Sequence, residues 1–171
     1  QLASEHLIGT FVNTLVLRTD LGGQPSFTEV LKRVRDLSLE AFAHQDMPFE
    51  VLVRELDVRH DTSRAPLFNV MFNVVNTPVR DIGFHGLQWS RVDFDRQATQ
   101  FDLSVLVDPQ HDPGIVFEYA TDLFERSTIE RMAGHLRAIL QAVVRAPDRA
   151  ITSIDLIGPQ EGALLRQWAQ G

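Results

Sequence analysis

His44, Asp46 and Glu50 stand out as a short run of metal-capable side chains. A zinc site needs three or four converging ligands, and helical ligand pairs usually lie at i, i+4. Pro48 divides this run between different elements, so no metal site is expected. The other reading is that Asp46 binds the free N–H groups opening a helix while His44 closes the helix before it. Acyl transfer through a Ser, His and acid triad requires an activated serine on a strand-to-helix turn. There is no GxSxG elbow, and Ser63 sits in HDTSRAPL. Arg64, two residues before Pro66, suits an anionic ligand or a loop-tying pair with Asp61, because bidentate guanidinium contacts serve both uses. Asn13, Asn69 and Asn73 are amides within otherwise apolar stretches. Each must be hydrogen-bonded internally or face a wet cavity.

The 171 residues carry 16 basic and 23 acidic side chains, for a net charge of −7. That balance opposes binding to nucleic acid or an anionic membrane, which rests on clustered Lys and Arg. Without cysteine there is no disulfide framework, thiolate metal site or thiol nucleophile. A cytoplasmic setting fits this composition. No apolar run approaches the roughly 20 residues needed to span a bilayer, and QLASEHLIG has no basic n-region or apolar h-region. Since the first residue is Gln, the chain is expected to begin inside a larger polypeptide.

The elements that position these residues follow from periodicity. Phe11 to Arg18 is rich in β-formers and predicts a strand with both faces buried. Gly22-Gly23-Gln24-Pro25 signals a turn, and Ser26 with Glu29 has capping-box spacing. Val30, Leu31, Val34, Leu37, Ala41 and Phe42 then mark a long amphipathic helix. HQDMPFE breaks it, and Phe49, Leu52, Val53 and Leu56 restart the pattern, so a corner joins two helices. Leu67 to Val75 alternates strictly, with Asn69, Met71 and Asn73 on one side. A weaker strand is expected over Leu87 to Phe94. Two more are marked by Phe101, Leu103, Val105 and Val107 and by Ile115, Phe117 and Tyr119. Short turns there imply an antiparallel meander. Ser127 and Glu130 form a second capping-box pattern, opening a helix with Ile129, Met132, Ala133, Leu136, Ile139, Leu140, Val143 and Val144 on one stripe until Pro147. Ile151 to Gly158 reads as linker, with a helix able to begin at Pro159. This order predicts an α+β fold, a two-layer α/β sandwich with helices on one face of a mixed sheet. The helical connection between the first two strands permits a parallel pairing.

Three segments in this order carry a more specific signal: IGTFVNTLVLR (Ile8 to Arg18), HQDMPFE (His44 to Glu50) and HDTSRAPLFNVMF (His60 to Phe72). Together with EYATDLF at Glu118 to Phe124, they resemble the C-terminal lobe of a nonribosomal peptide synthetase condensation domain. The resemblance covers nearly the whole chain. Met47, His60 and Ala65 depart from the family pattern. The strand LFNVMFNVVN is less similar to the epimerisation and cyclisation branches.

The resemblance implies a lobe of the chloramphenicol acetyltransferase-like fold at residues 1–150, with 151–171 as a linker towards a following adenylation domain. It implies one wall of a tunnel, where the amine of one carrier-bound aminoacyl thioester attacks a donor thioester to form an amide. Donor and acceptor carrier proteins would deliver the reactants on phosphopantetheine arms, with no cofactor bound directly. The family's HHxxxDG motif belongs to the N-terminal lobe, and this sequence has no adjacent His pair. The chain alone is therefore expected to be inactive, with no catalytic residue of its own. Asn13, then Asn69 and Asn73, are the tunnel candidates on this reading, while Asp46, Pro48, Asp61, Arg64 and Pro66 are structural motif residues. Asn76 to Gln100 is expected to reach across to the N-terminal lobe. Two rival roles are a non-catalytic scaffold of an assembly line and a free-standing acyltransferase, the latter opposed by the linker-like tail.

Overall fold

The computed structural model describes residues 8–9, 12–56, 65–75, 86, 98–109 and 114–170. Two compact units share the chain: Gln1–Val58 with Ala133–Gly171, and Arg59–Met132.

In the first unit, α1 spans Phe27–Ala43 and starts at the expected capping box. The Ser26 side chain accepts from the Glu29 N–H at 3.2 Å, and the Glu29 carboxylate accepts from the Ser26 N–H at 2.7 Å. The Ser26 N–H first, and then the Ser26 hydroxyl donating to the same carboxylate at 3.1 Å, hold the Glu29 carboxyl below its ordinary range. Val30, Val34, Leu37 and Ala41 are half-buried along one stripe, whereas Leu31 and Phe42, which the periodicity placed on the same face, are exposed. His44 closes α1, and the seven-residue α2, Phe49–Glu55, follows the Pro48 corner.

The strand expected over Phe11 to Arg18 is absent among the described residues of that stretch, which run without a ladder partner. β-forming side chains favour extended backbone, but a strand also needs a neighbour for its N–H and C=O groups.

Helix α3, Arg126–Arg145, begins in the second unit and continues into the first. Its start corrects the second capping box. The Glu125 carbonyl accepts from the Thr128 and Ile129 N–H groups, so Ser127 already lies inside the helix. Glu130 pairs with Arg126 at 2.8 Å across one helical turn, and this bond raises the arginine's pKa. Ile129 and Val143 are buried on α3. Beyond it, the chain ties back to the start of α1. The Thr28 N–H donates to the Pro147 carbonyl at 3.1 Å, and the Ile151 N–H donates to the Pro25 carbonyl at 2.9 Å. The Thr28 hydroxyl donates to Asp148 at 2.8 Å, beside a wholly buried Pro25. After a 3₁₀ turn at Ile151–Ser153, α4 spans Pro159–Ala169, with Pro159 at the helix start as the sequence suggests.

The second unit holds a mixed three-stranded sheet in the order β1 (Val70–Val74), β2 (Leu103–Asp108), β3 (Gly114–Tyr119). β1 and β2 are parallel, and β2 and β3 antiparallel. The parallel pair is thus not the one the sequence allowed for, between the Phe11 and Leu67 segments. Register sets three apolar rows on one face: Val70, Leu103, Tyr119; Phe72, Val105, Phe117; and Val74, Val107, Ile115. Val105, central in that grid, is buried. Phe68 and Phe101 stack with centroids 5.3 Å apart, extending the β1 and β2 register by one more row. The strand starts at Val70 rather than Leu67 because Leu67 has φ 72°, a left-handed turn conformation that no strand residue adopts. The expected strand over Leu87 to Phe94 lies outside the described residues, as does nearly all of Asn76 to Gln100. The fold class is mixed α/β, as expected.

Candidate functional site

The first two motif segments meet at the corner between α1 and α2. The break there follows from Pro48, which cannot donate a backbone hydrogen bond and pushes Met47 out of the helical region. The result is a turn whose Gln45 and Met47 carbonyls need donors from elsewhere. Asn13 supplies both. Its Nδ2 donates to the Gln45 carbonyl at 2.7 Å and to the Met47 carbonyl at 2.7 Å. Its Oδ1 accepts from the N–H of Phe49, the first residue of α2, at 3.2 Å, and from the N–H of Thr14 at 3.0 Å. A primary amide has two donor hydrogens and two acceptor lone pairs, so all four valences are engaged. Asn13 is a clamp that fixes the corner, with no donor left for a ligand in this conformation.

This clamp also corrects the capping assignment. The α2 N-cap is Pro48, with no side-chain cap of its own, and the Phe49 N–H goes to Asn13 rather than Asp46. His44 does end α1, as expected, and its carbonyl accepts from the Met47 N–H at 3.0 Å. His44, Asp46 and Glu50 are all exposed. Among the described residues, no group of three or more His, Asp or Glu is placed to hold a metal ion.

The remaining candidates lie in the second unit. Asn69 is half-buried just before β1, and its carbonyl accepts from the Leu103 N–H at 3.3 Å. Asn73 is exposed on β1, in a row with Leu106 and Val116 on the face opposite the apolar grid. Pro66 is half-buried in the bend leading to Leu67. Asp61 and Arg64 lie outside the described residues.

Two features escaped the sequence reading. One is the acceptor pair at Gln45 and Met47, for which the HQDMPFE break was the available signal. The other joins His135 to Glu161, and its only trace in sequence is a polar residue on the α3 stripe.

Three comparisons bear on this geometry. The family model described as Condensation domain matches residues 2–166. A linear gramicidin synthase protein of Brevibacillus parabrevis is 46% identical over 169 residues, covering 96% of this chain and 3% of that protein. The chain thus spans only a small part of the curated relatives it matches. Among solved structures, the X-domain from teicoplanin biosynthesis aligns with TM-score 0.78 and 29% identity, over 90% of this chain and 36% of that one. A complex of the X-domain and OxyB aligns with TM-score 0.76 and 30% identity, over 91% and 35%.

Proposed function

Because the chain belongs to the condensation-domain family of nonribosomal peptide synthetases and matches the C-terminal lobe of such domains, we propose that it acts by recognition. On this reading it is a scaffolding lobe of a peptide assembly line that places neighbouring domains and supplies no reacting group. Residues 1–150 form the lobe, and 151–171 lead towards a following adenylation domain. The observation that carries the reading is the full commitment of Asn13, the leading tunnel candidate, to holding the α1–α2 corner. It is supported by the likeness to an X-domain solved in complex with OxyB, where a related fold binds another protein. The partners are the N-terminal lobe of the same domain, donor and acceptor carrier proteins, and the adenylation domain.

The 46% identity to a gramicidin synthase protein favours a second, catalytic reading. In it the lobe is one wall of a tunnel where the acceptor amine attacks the donor thioester. The C–N bond forms, the C–S bond breaks, and the donor carrier's phosphopantetheine leaves as its thiol. A thioester needs little activation towards an amine. Alignment of two tethered arms, with effective molarities on the order of 10⁵ M, is then the lobe's contribution.

One reconstitution separates the readings. The chain is combined with its N-terminal lobe and with loaded donor and acceptor carriers. Amide formation is followed by mass spectrometry, and carrier binding by calorimetry. Scaffolding predicts binding without amide, whereas amide from the pair assigns the catalytic reading. Amide from the chain alone overturns both.

A further inference from the structure

The tail after α3 is held at two places of different kinds. The first is the backbone tie already described, in which Pro147, Asp148, Ala150 and Ile151 close onto Pro25, Ser26 and Thr28. The second is a side-chain bond: His135 Nε2, on α3, lies 2.6 Å from Glu161 Oε2, on α4. Both side chains are largely shielded, at 30% and 21% exposure. Between the two lie Ile154 to Gly158, which have no regular structure.

Helix α4 has little to sustain it locally. It is 11 residues long and has no side-chain N-cap bond at Gly158. A second glycine, Gly162, sits within its first turn. Isolated helices of this length are marginal in water, and an internal glycine costs further helical stability. Glu161, Leu164, Leu165 and Trp168 lie at i, i+3, i+4 and i+7, on one helical face. Yet Leu164 and Leu165 remain 43% and 42% exposed, and Trp168 65%. Apolar burial by that face therefore contributes modestly, and the short, shielded polar bond becomes the main local constraint on the helix.

We infer that α4 is a latched arm: the His135–Glu161 bond holds it on α3, and opening that bond frees α4 while the tie at residues 25–28 and 147–151 stays closed. The tie is backbone-paired and anchored beside a buried proline, so it opens with α1. The latch closes a separate loop, and its loss leaves α1 intact. A carboxylate accepts from the Nε2–H of either neutral imidazole or imidazolium, so the latch does not depend on the ring's charge. The inference stands whether or not the lobe takes part in catalysis.

Hydrogen exchange read by mass spectrometry on the full chain tests it. His135→Leu removes the donor while keeping an apolar side chain. Glu161→Ala removes the acceptor while raising intrinsic helix propensity. Each is expected to speed exchange over residues 159–169 by about tenfold, the scale of one lost charge-assisted bond. Exchange over Phe27–Ala43 is expected to stay within about twofold of the parent. The double variant is expected to exchange no faster than Glu161→Ala alone, because the bond that His135→Leu removes is already lost there. His135→Gln, which retains an amide donor, is expected to restore most of the protection. Unchanged exchange in α4, additive effects in the double variant, equal loosening of α1, or no rescue by glutamine would each overturn the latch.

Discussion

Replacing Asn13 with alanine removes the donors to the Gln45 and Met47 carbonyls and the acceptor for the Phe49 N–H at once. The site is exposed, so water can take over part of each lost bond, and the expected loss is about 1–2 kcal/mol. Asn13→Asp keeps the acceptor but sets a carboxylate against two carbonyl oxygens, and is expected to cost at least as much. Urea midpoints measured at unchanged m-value check this. Two variants within about 0.3 kcal/mol of the parent would remove the clamp from the account. The clamp was not legible in advance because local rules link residues three or four apart, while Asn13 reaches residues 32 to 36 positions away. The same blindness gave the capping role to Asp46, the nearest suitable side chain. Glu29 is a local case, and there the spacing to Ser26 was sufficient. Because its folded pKa is depressed by those Ser26 bonds, its stabilisation is present above the ordinary glutamate range and is lost as pH falls through the folded value. The stability gap between the parent and Glu29→Gln is thus expected to be largest near neutrality and to shrink as the carboxylate protonates. A gap that stays constant or widens on acidification would contradict the assignment.

Adjacent residues of α3 show how far periodicity carries. Val143 is 5% exposed, but Val144, which the periodicity placed on the same stripe, is 82% exposed, because the buried face is narrower than the run of apolar residues. Val143→Ala leaves a cavity and is expected to cost about 1–3 kcal/mol. Val144→Ala is expected to stay within about 0.5 kcal/mol, alanine's better helix propensity offsetting the small loss of contact. Thermal unfolding of the two variants checks the pair, and equal shifts would mean that the stripe is misassigned. The helices, the proline corner, and the strands β2 and β3 were legible because each is set by near neighbours in sequence. The parallel neighbour of β2 was not, since parallel strands are joined by long crossovers and alternation carries no record of the partner. The Phe11 to Arg18 stretch failed for the related reason that a strand exists only in a ladder. At Ser127, serine three residues before glutamate matched the capping pattern, but Arg126 offered Glu130 a stronger, charged partner one turn away.

At the scale of the whole molecule, charge and apolar exposure point to different kinds of association. With a net charge of −7, the chain repels other acidic surfaces, and that repulsion is screened over about 10 Å at 0.1 M salt. In the first unit, Leu39, Phe42 and Leu56 are 61%, 55% and 56% exposed. If the lobe works as proposed, beside an N-terminal lobe of the same domain, such side chains are what a lasting interface would cover, because burial of apolar area rather than pairing of charge dominates permanent contacts. Apolar burial is insensitive to moderate salt, whereas an interface assembled from ion pairs weakens steeply with it. The dissociation constant of the separately produced lobes is accordingly expected to change less than about threefold between 0.05 and 0.5 M sodium chloride. Calorimetry at the two concentrations supplies the measurement. A weakening of more than about tenfold would mean that charge, not apolar surface, joins the halves. A tightening of that size would mean that acidic repulsion is the dominant force between them.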